Sequence, residues 1–198
     1  MKKIVFFGDS NTYGYDPRGF LDDRYPEEFI WTSIVAAAFP GCLEVVNRGR
    51  NGRMIPAGSW DYRYVEQLLS GMKETDIFAV MLGSNDIFMT MNPHAEEPVT
   101  RMDRFLSWLT GLSAHPDILV IAPPYPDPEE SGDPAFGRFA AESAVMNAGF
   151  RRLAAGYGTD FLDASAWGVE AAFDGVHFSE AGHKTFARNI IRWLEHRL

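Results

Sequence analysis

A serine, a side-chain amide and a histidine preceded by a carboxylate stand in well-separated segments of this 198-residue chain. Ser10 lies in Gly8-Asp9-Ser10, Asn85 in Gly83-Ser84-Asn85-Asp86, and His177 in Asp174-Gly175-Val176-His177. A carboxylate three residues before an imidazole, in a turn, reaches its Nδ1–H, fixes the tautomer and leaves Nε2 to take a serine proton. A neutral amide donates to an oxyanion without adding a group that titrates. The set contains what acyl transfer through serine requires: nucleophile, base, orienting carboxylate and oxyanion donor.

None of these segments is specific alone. Gly-Asp-Ser is an ordinary way to leave a strand, Asn85 and Asp86 are ordinary turn formers, and His177 could simply precede a helix. Asn47-Arg48-Gly49-Arg50-Asn51-Gly52 is a glycine-rich turn whose exposed amides can face a developing oxyanion. It lacks Walker spacing, and Asn47 occupies the place of the first glycine of a dinucleotide fingerprint. Gly-x-Ser-x-Gly is absent, which excludes a nucleophile elbow. His183 falls inside the last helix, where a structural role fits better. His94, His115 and His196 read as surface residues.

The segments gain force from the elements that carry them. Apolar β-rich runs at residues 4–7, 43–46, 77–82, 118–122 and 160–162 alternate with helix-period segments at 27–39, 60–72, 99–112, 139–153 and 180–194. Such alternation predicts a parallel sheet with helices on both faces. The run at 77–82 is continuously apolar, as a strand buried on both faces must be. Ligands bind beyond the carboxyl ends of such strands, and each segment follows one. No repeat or linker divides the chain, so one domain over residues 1–198 is expected. The loops at 13–26, with the acidic pair Asp22-Asp23, and at 123–134, rich in proline and acid, are candidate binding loops or plain surface excursions.

Bulk properties narrow the partners. The net charge is −9 and the pI near 5.0, which disfavours nucleic acid and anionic membrane. Hydrophobic residues make up 46% of the chain, enough for a sizeable core. Cys42 is the one cysteine, has no partner for an intrachain disulfide, and is expected to be a small core residue. The apolar run after Met1-Lys2-Lys3 is too short for a signal core, and no run approaches a bilayer span. A cytoplasmic location is therefore expected. Trp31, Trp108 and the proline-rich loop are the candidates for a homo-oligomer interface.

Taken together, Gly8-Asp9-Ser10, Gly52, Gly83-x-Asn85-Asp86 and Asp174-x-x-His177 resemble the SGNH (GDSL-type) hydrolase family, in the family's order of blocks and across nearly the whole chain. The stretch from Gly8 to Tyr15, with Trp31, is similar to bacterial arylesterases and acyltransferases. The resemblance implies a flavodoxin-like three-layer α/β/α fold with a parallel sheet of about five strands. It implies Ser10 as nucleophile, His177 as base and Asp174 as its orienter. The Ser10 N–H, the Gly52 N–H and the Asn85 side chain would form the oxyanion hole, with Asp9, Gly83 and Asp86 supporting the loops. No cofactor and no metal are implied. Asn11 stands where the nickname motif has leucine, a departure expected to alter the pocket wall and leave the chemistry alone.

The expected substrate is a small ester with a short acyl chain: aryl, alkyl or acetylated sugar. Tyr13, Tyr15, Trp60 and Tyr62 are candidates to line its pocket, or to pack elsewhere. Three rivals remain at this point. One is transfer to alcohols from the same site. Another is a metal-dependent phosphoesterase with Asp9, Asp86, Asp174 and His177 as ligands. The last is a non-catalytic module of the same shape.

Overall fold

Successive apolar residues in β1 (Lys2–Gly8) cannot share one face, because side chains alternate across a strand. Ile4 and Phe6 enter one core, Val5 and Phe7 the other. β3 (Ile77–Met81) and β4 (Asp117–Ala122) divide in the same way, Phe78, Val80, Ile118 and Val120 to one side and Ala79, Met81, Leu119 and Ile121 to the other. Strands of this kind are stable only when covered on both faces. β2 (Leu43–Gly49) and β5 (Asp160–Asp163) complete a five-stranded, all-parallel sheet ordered β2-β1-β3-β4-β5. A computed structural model provides this description, covering residues 1–19, 24–90 and 92–198.

The two faces are closed by helices whose apolar stripes match the strands. Short α1 (Ser10–Tyr13) follows β1, and α2 (Trp31–Ala38) packs Trp31 and Val35 on the Ile4/Phe6 face. α3 (Ser59–Leu69) lies on the opposite face, short α4 (Ser84–Phe88) follows β3, and α5 (Glu96–Thr110) buries Met102, Phe105, Leu106 and Leu109. After short α6 (Pro128–Ser131), α7 (Ala135–Tyr157) joins α3 and α5 on that face. α8 (Glu180–Leu194) returns to α2 with Phe186, Ile190 and Leu194. The result is the three-layer α/β/α architecture expected from the alternation of elements.

Several boundaries differ from the sequence reading. The helix expected over 27–39 is broken: Glu27–Phe29 forms a 3-10 turn, and Ile30 is extended, with φ −75° and ψ 129°, before α2 begins. Ile30 is fully buried, so its burial sets the break. α5 starts three residues early, where Glu96, Glu97 and Pro98 occupy a first turn that suits acid and proline. Cys42 is exposed, a correction to its expected burial; it lies in the turn before β2, and Leu43 takes the buried place. Trp31 has no exposed surface, and Trp108 is half-buried with its ring 4.9 Å from Tyr62. Trp31 therefore cannot form an interface. Asp22-Asp23 lies outside the described residues.

Candidate active site

Register brings the segments together. Gly8 pairs with Gly49 on one side and Met81 on the other, so the chain leaves β1, β2 and β3 at one edge. That edge contains the topological switch of this strand order, where α/β sheets place ligands. Asp9 caps α1 by accepting the Asn11 N–H at 3.0 Å, which starts a helix at Ser10. A Cβ on Gly49 would lie 2.0 Å from the Tyr13 backbone nitrogen. Only glycine there lets α1 rest on β2.

The loop after β2 is tied to α4. Asp86 accepts the Ile55 N–H at 3.1 Å and pairs with Arg101, also at 3.1 Å. The Asn85 Nδ2 donates to the Arg53 carbonyl at 3.0 Å. An amide carries two such hydrogens, and among the described residues the second makes no hydrogen bond. Gly83, at the head of α4, lies against Met146 and Phe150.

The histidine segment is a tight turn before α8. Asp174 Oδ1 accepts the backbone N–H groups of Val176 and His177, each at 3.0 Å. Asp174 Oδ2 lies 2.5 Å from His177 Nδ1, and His177 Nε2 lies 3.0 Å from Ser10 Oγ. With a carboxylate at Nδ1, that nitrogen carries the proton and Nε2 faces the serine hydroxyl as acceptor. The turn needs Gly175, whose φ is +70° and whose added Cβ would fall 2.4 Å from the Asp127 carbonyl. Asp127 also donates its N–H to the Gly175 carbonyl at 2.7 Å. The proline-rich loop at 123–134 thus braces the turn that carries His177.

A cleft of about 410 Å³ opens over the serine, lined by Ser10, Tyr15, Asn51, Gly52, Asn85, Met89 and His177. The Tyr15 ring stands 4.5 Å from the His177 ring. Tyr13 does not line this cleft: Arg24 lies over its ring at 5.0 Å. Trp60 and Tyr62 are also placed elsewhere. Tyr62 packs on Phe105 and Trp108, and exposed Trp60 lines a neighbouring hollow of about 530 Å³ that shares Asn51 and Gly52 with the cleft. Another hollow, of about 630 Å³ near Thr90, His94 and Arg101, shares no residue with it.

Electrostatics separate the carboxylates. Burial pushes Asp9 up to about 6, against the Asn11 amide, His177 and Arg53. Asp86 is likewise raised to about 6 by burial, against the Ile55 amide and Arg101. Burial also works against the charge of Asp174, but the His177 side chain and the two turn amides outweigh it and hold this carboxyl below the usual range. Asp174 is the carboxylate kept ionised beside the imidazole. Asp9 and Asp86 are committed to loop contacts, and among the described residues no three His, Cys, Asp or Glu side chains are grouped to hold a metal ion.

Of the residues singled out in the sequence, Ser10, Gly52, Asn85, Asp174 and His177 converge within this site, with Asp9, Gly83 and Asp86 beneath it. His183 is sealed in the core, its Nδ1 accepting the Trp31 N–H at 3.4 Å. Asn51 and Met89 line the cleft without having been anticipated, although Asn51 adjoins Gly52. Asn11 was expected in the pocket wall; its side chain instead turns to the backbone on either side of His177. The partner of Asp86, Arg101, lies one helix away and carries no local sequence signal.

The family model of the GDSL-like lipase/acylhydrolase family matches residues 6–185. Comparison with curated proteins gave no match. Among solved structures, a candidate arylesterase from Agrobacterium tumefaciens strain C58 is 31% identical, with a TM-score of 0.83 and complete coverage of both chains. An aryl esterase from M. smegmatis, at 22% identity, superposes with a TM-score of 0.85 over the whole of both chains. A carbohydrate acetylesterase from Sinorhizobium meliloti, also 22% identical, gives 0.81 over the same full coverage. With the blocks of the sequence and the architecture in agreement, the chain belongs to the GDSL-like lipase/acylhydrolase family.

Proposed function

We propose that residues 1–198 act as one serine esterase domain for small carboxylic esters, with Ser10 as nucleophile. His177 takes the Ser10 proton as Oγ attacks the ester carbonyl, and Asp174 holds the imidazole tautomer and stabilises the imidazolium. The Ser10 N–H, the Gly52 N–H and the Asn85 amide hold the oxyanion. His177 then protonates the leaving alcohol as the carbonyl reforms, leaving an acyl ester on Ser10. Water, deprotonated by His177, attacks that ester, and His177 returns the proton to Ser10 Oγ as the acid leaves.

The observation that carries this reading is the hydrogen-bond chain from Ser10 Oγ through His177 to Asp174, at 3.0 Å and 2.5 Å. It spans 167 residues of sequence and lies in the wall of the cleft. The cleft's size and its mixed lining of Tyr15, Met89 and polar side chains support short acyl groups. The arylesterase and acetylesterase names of the structural neighbours point the same way.

Initial rates on p-nitrophenyl acetate, butyrate and octanoate test the substrate class. The expected order is acetate and butyrate well above octanoate in kcat/KM. An optimum at octanoate would overturn the short-chain assignment, and no turnover on any of the three would overturn the esterase reading.

A further inference from the structure

The residue after the proposed nucleophile is buried, yet its side chain is polar and is bonded at both its amide nitrogen and its oxygen. Asn11 is 8% exposed. Its Nδ2 donates to the Val176 carbonyl at 3.1 Å, and its Oδ1 accepts the Phe178 N–H at 2.9 Å. These are the backbone groups on either side of His177. A primary amide presents the same donor and acceptor pair as a peptide unit. Asn11 therefore joins the base segment as a neighbouring strand would, bonding the residue before and the residue after the one between them.

The other end of Asn11 is equally fixed. Its N–H is held by Asp9 and its carbonyl accepts the Trp31 Nε1–H at 2.9 Å. Ser10 and Asn11 share the first turn of α1, so a side chain anchored there carries the position of the nucleophile directly to residues 176–178. The Asp174 carboxylate bonds the His177 ring and N–H from within its own turn, but it has no link to Ser10. Among the described residues, the side-chain hydrogen bonds between the Ser10 and His177 segments are the Ser10–His177 bond and the two from Asn11.

We infer that Asn11 is a positioning residue that sets His177 against Ser10 through its two-pronged bond to Val176 and Phe178. The inference rests on the triad reading of Ser10 and His177. Leucine at this position has neither prong, and would leave the Val176 carbonyl and Phe178 N–H without their partner. A base displaced by a fraction of an ångström loses rate steeply while substrate binding is untouched. The loss is therefore expected in kcat rather than in KM.

The test compares wild type, Asn11→Ala, Asn11→Leu, Ser10→Ala and the remote core variant Val65→Ala, measuring kcat, KM, thermal midpoint and the rate of phosphonylation by diisopropyl fluorophosphate. The Asn11 variants are expected to lose at least about tenfold in kcat and in phosphonylation rate, with KM within about threefold. Val65→Ala is expected to lower the midpoint and keep kcat. Inactive Ser10→Ala alongside folded Asn11 variants with wild-type kcat and phosphonylation would overturn the role of Asn11 alone. Two Asn11 variants that fail to fold would also overturn it, since the amide would then hold the fold rather than the base. Full turnover in Ser10→Ala would instead remove the triad reading itself.

Discussion

His177 and His183 lie six residues apart on either side of the α8 N-cap Ser179, and their surroundings give them opposite chemistry. His177 sits in a turn, partly open to the cleft, with a carboxylate at one nitrogen and a hydroxyl at the other. His183 sits in the first turns of the helix, fully buried, with the Tyr25 and Phe178 rings 5.2 and 5.4 Å away and a backbone N–H directed at Nδ1. Burial lowers His183 to about 4, against an opposing pull from Asp16. Identity of residue type decides nothing here. A polar turn sets a ring nitrogen against a hydroxyl, and a helix start sealed by aromatics holds a neutral packing group.

The largest effect that would break this comparison comes from His177→Gln. Loss of a triad base costs about 10⁶-fold in turnover in other serine hydrolases, and a loss of that order is expected here with stability within about 1 kcal/mol of wild type. Steady-state rates and urea unfolding measure both. A variant retaining a tenth of wild-type activity would make the two histidines functionally alike.

Asn85→Ala ranks next. Removing one oxyanion donor costs about 10²–10³ in kcat, and the variant is expected to fold, since its lost partner, the Arg53 carbonyl, is only half-buried. Near-normal turnover would take Asn85 out of the site.

The smallest effect on rate and the clearest on stability belongs to His183→Gln. Its unfolded pKa is 6.5 and its folded value about 4, so the unfolded chain binds a proton that the native state refuses. Native stability must then fall as the pH drops from 6.5 towards 4. Asp9 and Asp86, raised to about 6, act in the other direction, because their native forms take up protons before the unfolded chain does. Glutamine removes only the histidine contribution. Between about pH 7 and pH 4.5, urea unfolding should show the variant losing about 2 to 3 kcal/mol less than wild type, with kcat at neutral pH within about twofold. An unchanged pH slope would show that His183 is not the neutral buried group described here.

The contrast also explains what was legible in the sequence. The convergence of Ser10, Gly52, Asn85 and the Asp174/His177 pair could be expected because each follows a strand, and parallel register brings such positions to one edge. His183 was readable as structural from its place inside a helix period. Asn11 was not, because its partners are the backbone of residues 165 and 167 positions away, and side-chain type does not announce such contacts. The brace of Asp127 on Gly175 was hidden for the same reason. Tyr13 and Tyr62 were misleading because aromatic character serves a pocket wall and a core equally well, and only packing distinguished Tyr15 from them. The broken helix at Ile30 was set by tertiary burial, against a local pattern that reads as continuous helix.

The central claim is a covalent acyl-enzyme on Ser10, and the most direct measurement is rapid-quench mass spectrometry of the protein with p-nitrophenyl acetate, alongside Ser10→Ala and with and without EDTA. One acetyl group is expected on the peptide containing Ser10, absent from Ser10→Ala together with turnover, and turnover is expected to be indifferent to EDTA. An acetyl group on another residue, or wild-type turnover in Ser10→Ala, would contradict it.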